Sequence, residues 1–290
     1  MRSANTAGGT AATVPSSAVN RLSNLQARIA TAFVIGPLAI AAAWLHHGTW
    51  VALIAVAVVA GGREWARMMV PHAALLLTLR LGAGLAAAAV VASLFGVPWG
   101  LGVLLAAVAL AWLPWPAAGE AGPALVGPLA WGLLYLGPSA VALVWLHAQP
   151  GIGLTLVIWV LVVVWTTDIG AYASGRSIGG PRLWPAVSPR KTWAGFVGGL
   201  VLGSLGGLAV RRLAVGDLSP SVVAVAVAVS LASQAGDLLE SGIKRRHGVK
   251  DTGGLLPGHG GVLDRLDGLF VAAPVFAMIH AMAGDDLRWQ

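Results

Sequence analysis

The chain has 290 residues, of which 57% are hydrophobic and only 10% charged, with a mean hydropathy of +0.81. A water-soluble domain of this size carries about 25% charged residues, so these figures exclude an ordinary soluble enzyme and a disordered chain and imply a polytopic membrane protein. The net charge of +7 does not indicate nucleic-acid binding: 15 of the 18 basic residues are Arg, placed singly or in pairs beside apolar runs, as positive-inside anchoring requires. There is no Cys, so thiolate catalysis and thiolate metal sites are ruled out.

In chain order, residues 1–27 are small and polar and are expected to form a cytosolic tail. Apolar stretches of spanning length follow near 29–45, 50–68, 74–95, 100–115, 124–146, 152–167, 194–212, 220–238 and 268–284. The expected fold is therefore all-α, with about nine transmembrane helices. They divide into amino-terminal spans over 28–150 and a carboxy-terminal region over 151–290 that holds the candidate chemistry. Arg21, Arg28, Arg63, Arg67 and Arg80 flank alternate breaks, whereas the break at His46–Thr49 has no Lys or Arg. This places the N-terminus in the cytosol, and counting spans puts 168–193 and 239–267 there too. Arg211 and Arg212 fall on the wrong side of this count and could snorkel at a span end.

Three segments hold the charges that anchoring leaves over. Asp168 closes the sixth apolar run, within Trp165–Tyr172. An acid there is either a site residue or a helix end in headgroup water. The second segment is Val187–Gly195, in which Ser188-Pro189 starts a turn and Arg190, Lys191 and Thr192 open a helix. It is either a phosphate cradle or a basic interfacial anchor with Trp193 in the aromatic belt.

The third segment, residues 237–267, contains five of the eleven acids, five Lys or Arg and two His. On a continued helix Asp237 and Glu240 share a face with Ser241 and Lys244. Asp264 and Asp267 repeat the three-residue spacing where the last span begins. Two carboxylate pairs on different helices suit Mg²⁺, which prefers oxygen donors together with substrate phosphates. The glycines around His259 would let the backbone approach an anion closely. A salt-bridged loop would explain the charges, but not those glycines or the acids at helix ends.

The run from Ser241 to Asp267 resembles the signature of the bacterial phosphatidate cytidylyltransferase (CDP-diacylglycerol synthase) family: Ser-x-apolar-Lys-Arg, four residues, Lys-Asp, a spacer, then Pro-x-His-Gly-Gly-apolar-x-Asp-Arg-apolar-Asp. Asp168 with Gly170-Ala171-Tyr172, and Ser188-Pro189 with Lys191-Thr192-Trp193 and Gly195, resemble the family as well. Arg190 departs from it mildly, with the charge kept. In the first 150 residues Glu64-Trp65 is the one recognisable detail.

The resemblance implies transfer of a cytidylyl group from CTP to phosphatidate by a nucleotidyltransferase that releases pyrophosphate. It also implies a homodimer in the bacterial plasma membrane with its site facing the cytosol, acting on membrane lipid and not on nucleic acid. Carried over by position, Asp237 and Asp264 would be Mg²⁺ ligands. Glu240 and Asp267 would support them or hold a second cation, either Mg²⁺ or a monovalent ion, and Asp168 would hold a cation or the nucleotide. Lys244, Arg245, Lys250 and Arg265 would hold phosphates, with Asp251, Gly260 and Gly261 in the same cradle. His259 would orient a phosphate, and Ser188, Lys191 and Thr192 would close the nucleotide side. Two rival readings are cytidylylation of another lipid phosphate, on an ether or polyprenyl lipid, and a cation path through Asp168, Asp237 and Asp264.

Overall fold

A computed structural model describes residues 36–113, 122–216, 218–253 and 260–283, together with Leu287 and Trp289. The expected tail, Pro114 and His259 lie outside the described residues.

Among those described, the chain runs α1 (Gly36–Leu45), α2 (His47–Met69), a single 3₁₀ turn, α3 (Ala74–Phe95), α4 (Val97–Leu110), α5 (Gly122–His147) and α6 (Gly153–Ser177). A hairpin of β1 (Arg182–Trp184) and β2 (Ser188–Thr192) follows, and then α7 (Trp193–Ala214), α8 (Pro220–Arg246) and α9 (Leu263–Ala283). Seven of these helices are long and apolar enough to cross a membrane, and α1 and α4 are shorter apolar helices. The multi-pass, helical expectation holds, with nine as an approximate count of spans. Outward-facing residues such as Trp44, Leu94, Trp131 and Leu213 are largely exposed, as a bundle in contact with lipid requires.

Three boundaries move, and each move bears on the site. α6 continues to Ser177, nine residues past Asp168, so that acid lies within a helix and not at its end. α8 runs on to Arg246 and α9 begins at Leu263, which places both acid pairs on helical backbone. The cations Arg190 and Lys191 do not open a helix: they lie on β2, and only Thr192 caps α7, its hydroxyl oxygen accepting the Gly195 N–H at 3.1 Å. Proline explains the strand, because it disfavours helical backbone at the residue before it and cannot donate within a helix. Pro181, Pro185 and Pro189 punctuate this stretch.

Packing between α6 and α7 depends on glycine. A Cβ on Gly170 would stand 2.5 Å from the carbonyl oxygen of Gly198, and one on Gly195 2.8 Å from that of Ala171. Cβ atoms on Gly203 and Gly206 would collide with the hydroxyls of Thr167 and Thr166. In lipid, where apolar surface gains little from leaving its surroundings, close backbone approach and buried polar contacts hold helices together. One such contact joins the Thr167 and Ser230 hydroxyls at 2.8 Å and ties α6 to α8.

Arg211 does not snorkel. It is buried, donates to the Leu287 carbonyl at 2.6 Å, and lies over the Trp289 ring. It therefore serves internal packing, and its position carries no weight against the inferred orientation.

Gly170→Ala should destabilise the protein by about 1–3 kcal/mol, since the new methyl meets backbone that cannot move aside. Gly102→Ala, with nothing within 4 Å of its Cβ, should leave stability unchanged or raise it slightly. Thermal unfolding of the two variants in detergent provides the comparison.

Candidate active site

The polar residues gather at one end of the bundle, where α2, α6 and α8 finish and α7 and α9 begin. α8 supplies Asp237, Glu240, Ser241 and Lys244 one turn apart. Ser241 donates to Asp237 Oδ1 at 3.4 Å and Lys244 to Glu240 Oε1 at 3.1 Å. The sequence expectation of a shared helix face holds, but the two acids differ in surroundings. Asp237 is half-buried and pairs through Oδ2 with Lys191 of β2 at 2.5 Å. Glu240 is 1% exposed and takes a further hydrogen bond from the Tyr135 hydroxyl of α5 at 3.3 Å.

Asp264, at the start of α9, is the most fully engaged acid. Its Oδ1 accepts from Lys244 Nζ at 2.7 Å, and its Oδ2 from the backbone N–H groups of Gly261 at 2.8 Å and Thr252 at 3.0 Å. Lys244 thus bridges the acids of α8 and α9 and is itself buried. It faces carboxylates within the protein and not an open phosphate cleft.

Asp267 accepts from the N–H of Gly268 at 2.7 Å and lies within electrostatic reach of Asp237, Glu240 and Asp168. Asp168 in turn feels Asp237, Lys191 and Arg265. Acids from α6, α8 and α9, 99 residues apart in sequence at the extremes, therefore share one field with a cation from the hairpin and one from α9. The structure brings together Asp168, Lys191, Asp237, Glu240, Lys244, Asp264, Arg265 and Asp267.

Other expected residues sit at the edge. Arg245, Lys250 and Asp251 are exposed, with Arg245 donating to the Val249 carbonyl at 3.2 Å. Ser188 is half-buried at the turn end of the hairpin, opposite Trp184. Thr192 is buried, and its oxygen is used in capping α7.

The glycines of the signature have a different neighbour from the one expected. Gly260 adopts φ +84°, a left-handed conformation that favours glycine, and its Cβ would stand 2.9 Å from Asp264 Oδ2. A Cβ on Gly261 would overlap the Glu64 carboxylate and the Thr252 hydroxyl. The anions these glycines admit are the protein's own carboxylates.

Glu64 of α2, quoted from sequence only as a detail of the resemblance, is 2% exposed and belongs to this end of the bundle. Its Oε2 accepts from the Leu263 N–H at 2.9 Å and the Thr252 hydroxyl at 3.3 Å. A signal for it existed: apart from Glu120 it is the only acid in residues 1–150, and an acid within a span is by default a site residue.

Among the described residues no three Asp, Glu or His side chains stand close enough to enclose a metal ion by themselves. The donors are all oxygen, however, and the acids sharing the site outnumber the cations. Mg²⁺ is commonly held by one or two carboxylates, with substrate phosphate and water completing its shell. The residues present therefore fit Mg²⁺ shared with a phosphate.

The sequence model of the Cytidylyltransferase family matches residues 26–283. The chain is 38% identical over 263 residues to a protein of Brucella suis named phosphatidate cytidylyltransferase, covering 90% of this chain and 95% of that one. A protein of the same name from Pseudomonas aeruginosa is 38% identical over 270 residues, covering 90% of this chain and 98% of its own length. A third, from Staphylococcus epidermidis, is 42% identical over 130 residues, 44% of this chain and 49% of that one. A family match over nearly the whole length, with the signature acids gathered at one end of the bundle, places this chain in the cytidylyltransferase family.

Proposed function

We propose that the chain transfers the cytidylyl group of CTP to phosphatidate in a bacterial plasma membrane, with the site facing the cytosol and the protein working as a homodimer. The observation that carries this reading is the convergence of Asp168, Asp237, Asp264 and Asp267 with Lys191 and Arg265 at one end of an otherwise apolar bundle. Relatives along almost the whole chain carry this activity in their name. The cytosolic orientation rests on Arg245, Arg246, Lys250 and Arg265 at the same end.

In the reaction a phosphate oxygen of phosphatidate bonds to the α-phosphorus of CTP, and the bond from that phosphorus to the bridging oxygen of the β-phosphate breaks. Pyrophosphate leaves and CDP-diacylglycerol remains. The second ionisation of a phosphate monoester lies at a pKa of about 6, so the nucleophile is largely deprotonated at neutral pH and little general-base assistance is required. The difficulty is to hold two polyanions together, which calls for fixed positive charge and a desolvated site.

Mg²⁺ held by Asp237 and Asp264, with Asp267, Glu240 and Asp168 supporting it or a second cation, would neutralise CTP phosphate charge. The remaining work falls to the chain's own groups. Lys191 lies beside Asp237 on the hairpin and is partly exposed, so it can exchange that carboxylate for a phosphate. Arg245, Lys250 and Arg265 line the exposed rim, where incoming phosphates first meet positive charge. Lys244 holds Asp264 and Glu240 in place, with one remaining N–H to offer. His259, in the signature, is assigned to orienting a phosphate.

Purified protein in phosphatidate vesicles should release pyrophosphate with CTP and not with ATP, GTP or UTP, and only when the lipid is present. Release without lipid, or indifference to the base, would remove this reading. Chelation with EDTA should abolish turnover, and added Mg²⁺ should restore it. Asp237→Asn and Asp264→Asn should each lower kcat by on the order of 10²-fold or more; near wild-type turnover in Asp264→Asn would exclude that residue as a metal ligand.

A further inference from the structure

Glu64 stands on α2, 188 residues before Thr252 and 199 before Leu263, yet it joins both. The Leu263 N–H is the first in α9, a donor with no partner inside the helix, and Glu64 Oε2 accepts it at 2.9 Å. The same oxygen takes the Thr252 hydroxyl at 3.3 Å, while the Thr252 N–H goes to Asp264 Oδ2 at 3.0 Å. Asp264 also holds the Gly261 N–H. Two carboxylates, one from the amino-terminal spans and one from the signature, thus clamp Thr252 and residues 261–263 between them.

The clamp leaves no spare room. A Cβ on Gly253 would stand 2.6 Å from Glu64 Oε1, 2.9 Å from its Cδ and 3.0 Å from its Cγ, and all three atoms belong to Glu64. Gly253 has no positive φ to account for its being glycine. The residue is small because Glu64 occupies the space.

We infer that Glu64 is a positioning residue for the cytidylyl transfer: by capping α9 and holding Thr252, it fixes where the Asp264 carboxylate points. This rests on the reading of Asp264 as part of the active site. Glu64 is 2% exposed and accepts from the Leu263 N–H and the Thr252 hydroxyl, so it acts through the signature segment. A displacement of about 1 Å in a catalytic group costs on the order of 10²-fold in rate, and removing the cap would permit a shift of that size.

Four variants in phosphatidate vesicles test the inference by CTP turnover and thermal unfolding: Glu64→Ala, Glu64→Gln, Gly253→Ala and the Glu64→Ala/Gly253→Ala pair. Glu64→Ala should lose on the order of 10²-fold in kcat with KM for CTP little changed. Glu64→Gln keeps an acceptor oxygen at the same reach and should retain most of the wild-type kcat. Gly253→Ala should lower the unfolding temperature in the wild-type background and much less in the Glu64→Ala background, because the colliding atoms are gone.

Wild-type kcat in Glu64→Ala overturns the inference. So does loss in Glu64→Gln as complete as in Glu64→Ala while the unfolding temperature is kept, which would assign the effect to charge and not to positioning. Additive Gly253 and Glu64 effects on unfolding remove the clamp itself. Where Glu64→Ala does not fold, loss of most of the kcat in Glu64→Gln at an unchanged unfolding temperature overturns the inference, and an unchanged unfolding temperature in Gly253→Ala removes the clamp. A wild-type protein inactive with CTP and phosphatidate would refute the proposed function, whereas the unfolding comparison would still report on the clamp.

Discussion

A carboxylate carried into an apolar bundle must find donors there, because neither lipid nor a packed helix interface can solvate it. Asp264 meets that constraint with three partners: the Lys244 ammonium and the amides of Gly261 and Thr252. Most features of the candidate site follow from this one requirement. Lys244 must lie on the face of α8 that meets α9. Thr252 and Gly261 must turn their amides inward, and Gly260 and Gly261 leave space for the oxygens. α8 must extend past the apolar run to Arg246, so that Lys244 is presented from helical backbone.

The acids then divide by exposure. Glu64, Glu240 and Asp264 accept hydrogen bonds from neighbouring elements, and these bonds fix α2, α5, α8 and α9 relative to one another. Asp237 and Asp168 stand nearer the opening: Lys191 of the hairpin pairs with Asp237, and Lys191 and Arg265 lie within electrostatic reach of Asp168. A site built in this way sets a wall of hydrogen-bonded carboxylates behind a more exposed face, where Lys191 pairs with Asp237. Such preorganisation is what phosphate chemistry requires of a protein that contributes chiefly electrostatics.

The glycine pattern of α6 and α7 serves the same end. Close approach of Gly170 to Gly198 and of Gly203 to Thr167 leaves the two helices no freedom to slide. Asp168 on α6 and Thr192 at the head of α7 are therefore held in register with the hairpin that carries Lys191. The scaffold's small residues are thus as much part of the site as its charged ones.

The sequence alone determined the membrane class, the approximate number of helices and the polar segments, 165–172, 187–195 and 237–267, that stand apart from the apolar spans. Scarcity of charge makes each of the eleven acids informative, and a 27-residue signature survives in one contiguous stretch. Helical spacing also put Asp237 and Glu240 three residues apart on one helix and Asp264 and Asp267 three apart on the next, as α8 and α9 carry them. Tertiary structure alone decided which of those acids meet one another. It put Lys191 on a strand, because prolines spaced four residues apart prevent the helix that its neighbours suggest. It also showed that the signature glycines make room for Glu64 and Asp264. Local spacing reports which side chains share a face of one helix, but contacts between residues 64, 168, 191, 237 and 264 depend on which helices pack side by side, and no periodicity within a single segment encodes that.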